Sequence, residues 1–260
     1  MLDKLKKELE DTAHKVISDS TQGMPSGFNN GLQSCVEHNC NLELSLLACA
    51  SSMWCGSSEN AGMPVAVSAL MLRAGITVHL ELSDFAGIFN GLPPLLGKAD
   101  DTLAILVGDG LIALAIEYIA GYGGRHSTRL VSEAVRAVGA GGMLSGFSLA
   151  VDNSDGNETV VSDGRSPVEL YSGQLARFAS HGGALIAGAS EMMLDDAAQI
   201  GVLTGQAMFL SRESKFTADR YKKNSLVFQA RTLIEQAESI VGNKPNATLF
   251  KSLMYLSDFI

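Results

Sequence analysis

The stretch DTLAILVGDGLIALAIEYIAG, from Asp101 to Gly121, decides how the rest of the chain is interpreted. Its apolar run is about long enough to cross a bilayer. However, Asp109 stands near its middle and Glu117 follows two turns later. A lipid-exposed helix tolerates such charges poorly, because they lose their hydration inside the bilayer. The stretch therefore predicts a buried core helix of a globular protein and no transmembrane segment.

The same helical period recurs on both sides of this stretch, with apolar residues every three or four positions. The segments that show it are 2–17, 42–54, 64–82, 127–151, 168–190, 195–211, 228–242 and 248–260. No sustained alternation of β-branched and polar residues competes with these segments, and a polar loop is expected at 152–166. The sequence predicts one all-α domain over residues 1–260.

Composition limits the classes of partner. The chain has 260 residues, 46% of them hydrophobic, and a formal net charge of −9. Because nucleic-acid affinity comes from clustered Lys and Arg that release counterions, this acidic balance argues against a nucleic-acid partner. The N-terminus is charged and amphipathic and does not have the form of a secretory signal, which favours a cytoplasmic protein.

All four cysteines lie in the first quarter of the chain. They are Cys35, Cys40, Cys49 and Cys55. Their spacings differ from the C-x2-C pairs that arrange tetrahedral zinc ligands. Free thiols are therefore favoured over a zinc site.

The order of five segments resembles a known family. MPVAVSALMLRAGITVH, AILVGDGLIALAIEYIA, GAGGMLSGFSLAVD, LYSGQLARFASHGGALIAGAS and IGVLTGQAMFL follow one another at about the spacing found in the trans-isoprenyl diphosphate synthases, the polyprenyl synthetase family. The resemblance implies an all-α bundle of long helices around a deep central cavity, usually assembled as a dimer.

The family's chemistry implies two D-D-x-x-D motifs that hold Mg²⁺ ions around a diphosphate. The first motif falls on residues 80–84, which read L-E-L-S-D after His79. Only Glu81 and Asp84 remain acidic there. The two carboxylates share one helix face and would hold at most one weakly bound Mg²⁺. We therefore expect no catalytic metal.

The second motif falls on residues 212–216, which read R-E-S-K-F. Arg212 stands where the first aspartate is expected, Glu213 follows it, and Phe216 replaces the last aspartate. A guanidinium beside a would-be Mg²⁺ opposes its binding. The resemblance thus implies that both acidic motifs are degenerate and that no catalytic residue is retained.

The diphosphate-binding side of the resemblance is also degraded. The Gly-Lys-x-x-Arg stretch of the family falls near residues 38–43, which read HNCNLE and contain no Lys or Arg. The Lys-Thr pair falls on Tyr171 and Ser172, and the Gly-Gln pair falls on Gly146 and Phe147. The cationic groups that would hold a second diphosphate are missing from these positions.

The remaining polar residues have structural explanations. His79 is expected to be a core histidine with a hydrogen-bond partner, and Asp109 a buried polar group in a core helix. Arg125, His126 and Arg129 form a small basic cluster, for which a solvated face is favoured over a phosphate site.

These observations favour a non-catalytic or regulatory subunit that pairs with an active isoprenyl diphosphate synthase and adjusts its product length or activity. A divergent prenyl transferase or terpene cyclase that retains Glu81 and Asp84 is the alternative, and a lipid-binding or structural homodimer is the third. The expected assembly is a homodimer or a heteromer with the catalytic synthase, with an isoprenoid diphosphate or a lipid as a further candidate ligand. Ala104 and Ala115 are taken as candidate interface residues.

Overall fold

The computed structural model describes residues 1–38, 42–82, 95–96, 101–122, 124–154 and 164–256. Within these residues the chain is helical and contains no β-strand, so the predicted all-α fold is confirmed. The helices are α1 (Leu2–Ser20), α2 (Ser26–Glu37), α3 (Leu42–Trp54), α4 (Met63–His79), α5 (Asp101–Tyr122), α6 (Ser127–Val138), α7 (Met143–Ser154), α8 (Gln174–Ile186), α9 (Glu191–Phe216), α10 (Arg220–Val241) and α11 (Thr248–Leu256).

The helices differ from the sequence prediction in three main ways. Helix α2 was not predicted, because its glycine and paired asparagines weaken the helical pattern. The expected helix over 127–151 is broken between α6 and α7, where a Cβ on Gly142 would collide with the backbone carbonyl of Ala137. Helix α4 ends at His79, so Glu81 and Leu82 lie in the turn that follows it.

Helix α4 runs through the centre of the molecule. All its residues are buried except Pro64, Arg73 and His79. It packs closely on α5 where Gly75 meets Gly108, since a Cβ on Gly75 would lie 2.8 Å from the carbonyl oxygen of Gly108. The absence of side chains at this crossing lets the two backbones approach, and α3, α8 and α9 complete the inner layer.

The ends of α3 and α10 are tied together near the C-terminus. The indole Nε1 of Trp54 donates a hydrogen bond to the carbonyl oxygen of Val241 over 3.1 Å. The Trp54 ring also contacts Phe250 edge to face, and the Lys244 ammonium lies 3.8 Å from its centroid. These contacts hold the last helices against the inner layer.

The expectation that α5 is a buried core helix is wrong. Only one stripe of it is buried, formed by Ala104, Val107, Gly108, Leu111, Ala115 and Ile119. Ile105 and Leu106 are exposed, at 45% and 54%, and the Asp109 side chain is 69% exposed. Uniform hydrophobicity indicates an apolar helix but does not say how many of its faces the same chain covers. Ala104 and Ala115 therefore face the interior and do not lie on an exposed interface.

Three stretches in the described part of the chain are long and apolar enough to cross a membrane, judged by length and composition alone. They are Glu59–His79, Asp101–Tyr122 and Gly124–Asp152. The fold buries 83% of the apolar window in the first stretch and 33% in the second. The third is interrupted between α6 and α7. The expected absence of a transmembrane segment stays a prediction.

Candidate functional site

A cavity lies between the inner helices. Its walls come from α3, α4, α7, α8, α9 and the turn before α8. The residues that line it are Leu44, Arg73, Thr77, Leu80, Met143, Phe147, Tyr171, Ser172, Leu175, Gly205, Met208, Phe209, Arg212 and Glu213. The first two positions of the second degenerate motif and the first position of the first motif thus border one space.

Tyr171 enters this cavity from a turn of π-helix, Glu169–Gly173, which precedes α8. Helix α7 lies close to this turn, because a Cβ on Gly146 would lie only 2.7 Å from the backbone nitrogen of Tyr171. The next residue, Phe147, stacks on Tyr171 with ring centroids 5.5 Å apart. Tyr171 in turn meets Phe209 of α9 edge to face at 4.6 Å. The three rings form an aromatic stack across the centre of the bundle.

The aromatic stack leaves little room. The cavity volume is about 70 Å³, equivalent to about two water molecules in the liquid. A second space of about 540 Å³ lies beside it, between α4, α5 and α7. Leu80 and Phe147 border both spaces, so these two side chains form the partition between them. Small-molecule sites usually have a volume of about 300 Å³ or more, so the central cavity by itself is too small for such a ligand.

The charges in the cavity differ from those that bind divalent cations. Arg73 and Arg212 both line it, one on α4 and the other on α9. Burial raises the pKa of Glu213, although the positive charges of Arg212 and Lys222 oppose that rise. The pKa of Tyr171 is also raised, first by burial and then by the charge of Glu213. The Tyr171 phenol is therefore neutral, and Arg73 and Arg212 place positive charge on the wall of the cavity.

Glu81 has a structural partner in the fold. Its carboxylate accepts hydrogen bonds from the backbone amides of Leu95 and Leu96, the second over 3.3 Å. Burial raises its pKa, while these two hydrogen bonds act in the opposite direction. Asp84, predicted to share a helix face with Glu81, lies outside the described residues, and Glu81 itself stands in a turn.

The other predicted residues occupy different environments. Phe216 is 53% exposed at the end of α9 and does not line the cavity. His79 is partly exposed, with its Nε2 atom 3.5 Å from Asp109 Oδ1 and 3.4 Å from the carbonyl oxygen of Ile105. Asp109 is therefore not the buried polar group that was expected, because the outer face of α5 turns it to solvent.

A buried polar cluster that was missed by the sequence analysis joins α6 to α8. The guanidinium Nη2 of Arg129 lies 3.2 Å from His181 Nε2. A guanidinium has no acceptor, so we assign the proton of His181 to Nδ1, which lies 2.7 Å from Glu133 Oε2. Arg129 and His181 are 52 positions apart, and no local pattern announces the pair. Arg129, whose side chain is 42% exposed, thus covers the Glu133 and His181 pair from the surface.

Arg73 was missed as well, although one signal for it exists. It is the only Lys, Arg, Asp or Glu in α4, and a lone cation in an otherwise apolar helix often points into a polar cavity.

The residues around the cavity do not fit the Mg²⁺ cluster that the resemblance implies. Mg²⁺ requires several oxygen ligands at short distance. Among the described residues, no group of three or more His, Cys, Asp or Glu side chains could hold a metal ion. Arg212 lines the wall, and the Glu81 carboxylate already accepts two backbone amides.

Comparison by sequence identifies no relative. No protein-family model matches the chain, and no curated protein matches it significantly.

Comparison by structure is informative. An FPP/GFPP synthase from Zymomonas mobilis superimposes with a TM-score of 0.81 at 17% identity, covering 100% of this chain and 99% of that chain. A geranylgeranyl pyrophosphate synthetase from the archaeon Geoglobus acetivorans gives 0.78 at 16% identity, over 99% and 98% of the two chains. A geranyl diphosphate synthase small subunit from Antirrhinum majus gives 0.68 at 16%, over 96% and 98%. At these identities the likeness extends to the fold, and this chain has the all-α fold of the trans-prenyl diphosphate synthases.

Proposed function

We propose that this chain is a non-catalytic subunit that pairs with an active isoprenyl diphosphate synthase and adjusts its product length or activity. The observation that carries the proposal is the state of the central cavity. Arg73 and Arg212 line this space of about 70 Å³, and the aromatic stack narrows it. Ionising an allylic diphosphate requires metal-bound pyrophosphate, and a wall that carries two guanidinium groups does not fit that requirement.

The structural neighbours add support for a subunit role. One of them is a geranyl diphosphate synthase small subunit, so the same fold occurs in a protein described as a subunit of a synthase. We extend that role to this chain on the basis of its own cavity, since the identity of 16% carries the fold alone.

The outer face of α5 supplies a surface for pairing. Ile105, Leu106 and Ala113 are exposed on it, and Tyr122 continues it at the end of the helix. Asp109 and Glu117 are exposed on the same face, so this surface combines apolar side chains, which cost free energy in water, with two carboxylates. A partner subunit that covers this face would bury it. The assembly is a homodimer when the chain is alone and a heteromer when an intact synthase is present, in the cytoplasm.

Co-expression with an intact trans-isoprenyl diphosphate synthase from the same genome tests the proposal. We expect a stable complex whose mass exceeds the 27.4 kDa chain by at least one synthase subunit. Its product lengths should differ from those of the synthase alone. Glu81→Ala should leave the activity of the complex nearly unchanged, because the catalytic metals would be held by the partner.

The chain alone is the second arm of the test. With Mg²⁺, farnesyl diphosphate and isopentenyl diphosphate it should form no elongated product. Turnover at about 1 s⁻¹ or more would contradict the non-catalytic function. A chain that remains a monomer when the synthase is added would contradict the subunit role.

A further inference from the structure

Basic and aromatic side chains are concentrated at the start of α10. Residues 220–231 contain four basic residues and no acidic residue, in a chain whose net charge is −9. Tyr221 and Phe228 in this segment are 89% and 71% exposed. Large apolar side chains at such exposure cost free energy in water unless a ligand or partner covers them.

The two aromatic side chains lie on the face of α10 that points away from the core. The buried stripe of this helix is Ala230, Ile234, Ala237 and Val241. At about 100° per residue, Tyr221 and Phe228 project roughly 160–180° from Ala230. Helix α10 therefore has two apolar faces, one packed on the protein and the other directed into solvent.

Cations flank the outward aromatic residues on both sides. By the same rotation, Arg220 and Arg231 lie about 60–100° from the two aromatic residues on one side, and Lys222 lies about 100–120° from them on the other. Lys223 is exposed as well, but the same rotation places it about 20° from Ala230, on the opposite side of the helix. We refer to Arg220, Tyr221, Lys222, Phe228 and Arg231 as the basic aromatic ridge.

The ridge is held in place by the cap of its helix. The Asp219 carboxylate accepts hydrogen bonds from the backbone amides of Tyr221 and Lys222, over 2.8 and 3.2 Å. This cap satisfies amide donors that would otherwise lack a partner at the first turn, and the Asp219 carboxylate interacts favourably with the positive end of the helix dipole. Residues 220–225 are nevertheless all exposed. The helix is thus ordered to its start, although the described parts of the chain leave that start uncovered.

We propose that the basic aromatic ridge is a docking surface for an anionic lipid bilayer. Aromatic rings at the centre of a helix face enter the headgroup region, while flanking Lys and Arg side chains extend to the lipid phosphates. The ridge is a convex helix surface, and its positive charge complements anionic lipid in a protein that is otherwise acidic. It is separate from the exposed face of α5, so this inference stands independently of the subunit role.

Vesicle sedimentation of the full chain tests the proposal. We expect binding to vesicles of phosphatidylcholine mixed with phosphatidylglycerol, little binding to phosphatidylcholine alone, and release at high salt because surface charges are then screened. The double variant Arg220→Glu with Arg231→Glu should bind about thirtyfold more weakly or worse, since each cation near an anionic surface contributes about 1 kcal/mol. The matched control, Lys7→Glu with Lys15→Glu, makes the same charge change on exposed positions of α1 and should bind as the wild type does.

Insertion of the aromatic rings has its own readout. In Tyr221→Trp, the fluorescence of the new indole should shift to the blue on anionic vesicles, because the ring leaves water. In Phe228→Ser, vesicle binding should weaken while the melting temperature stays the same, since the side chain is 71% exposed. An indole that remains at its aqueous emission maximum on bound protein would overturn insertion by the ridge.

Two further outcomes would overturn the proposal. Equal losses in the α1 control and in the Arg220 and Arg231 variant would mean that net charge, and not the ridge, drives binding. The ridge would instead belong to an acidic protein partner if the chain bound soluble poly-glutamate tightly, lost that binding in the Arg220 and Arg231 variant, and did not bind vesicles.

Discussion

Removal of the Phe147 ring should join the central cavity to the space beside it and make room for an isoprenoid. The side chain is 8% exposed, stacks on Tyr171 and separates spaces of about 70 and 540 Å³. In Phe147→Ala these spaces would merge into more than about 600 Å³. That volume lies within the range of about 300–1,000 Å³ that small-molecule sites occupy.

The Phe147→Ala change should also lower the free energy of unfolding. A fully buried Phe→Ala change costs about 3–5 kcal/mol. Because Phe147 already borders two voids, it has fewer contacts to lose, and we expect about 3 kcal/mol. For a chain of this size, that corresponds to a melting temperature lower by about 6–12 °C. Farnesyl diphosphate at about one hundred times its dissociation constant would restore about 2.7 kcal/mol.

Thermal melts with and without farnesyl diphosphate measure both effects. The wild type should respond by less than about 1 °C, whereas Phe147→Ala should recover most of its loss. Phe178→Leu is the control, since Phe178 is fully buried and lines neither space, and it should lose stability without responding to the ligand. If the wild type is stabilised as much as Phe147→Ala, the aromatic stack does not limit access and the reasoning fails.

Three further predictions concern the buried cluster, the closest helix crossing and the pairing face. Burial acts to raise the pKa of Glu133, but contacts with His181, Arg177 and Arg129 outweigh it and lower the pKa. The ionised Glu133 carboxylate therefore stabilises the fold at pH values above the ordinary pKa of about 4.3. That stabilisation is lost as the pH falls through the lowered pKa of the folded protein. In urea titrations, Glu133→Gln should therefore lower the free energy of unfolding by about 2–3 kcal/mol at neutral pH and reduce its loss at acid pH. The control Glu191→Gln, at the exposed partner of Arg129, should lower it by less than about 0.5 kcal/mol. Equal small losses in the two variants would contradict a stabilising role for Glu133. Gly183→Ala should cost about 3 kcal/mol or more in the same assay, because its Cβ would overlap the backbone carbonyl of Ala48, and an unchanged midpoint would show that α3 and α8 can separate freely. Ala113→Arg, on the exposed face of α5, should fold but remain a monomer in light scattering, whereas Ala115→Arg, at a fully buried position, should not fold. If the Ala113→Arg protein still forms a dimer, the interface lies elsewhere.

The correspondence of residues 80–84 and 212–216 with the family's acidic motifs remains a prediction from the resemblance. The cavity shows why those positions could not be interpreted fully from sequence. Arg212 and Glu213 line the cavity, whereas Phe216, one turn further along α9, lies at the surface. Glu81 looked like the remnant of a metal site because its backbone partners, Leu95 and Leu96, are fourteen and fifteen residues away.

The sequence by itself determined most of the helices, α2 and the break between α6 and α7 excepted, because their causes are local. In α1, Leu5, Leu9, Ala13 and Ile17 recur every four positions and form the buried stripe of that helix. The ordered apolar segments likewise led to the fold that the structural neighbours confirm. Both inferences depend on residues a few positions apart, where spacing fixes which side chains share a face.

Only the tertiary structure decided which faces are covered and which space remains open. Asp109 was expected inside and is exposed, since the face of α5 opposite its buried stripe is not covered by the described chain. Phe147, Tyr171 and Phe209 meet although they come from three separate elements, and all three rings line the cavity. Such contacts depend on how helices distant in sequence cross and approach, and helical periodicity carries no information about those distances.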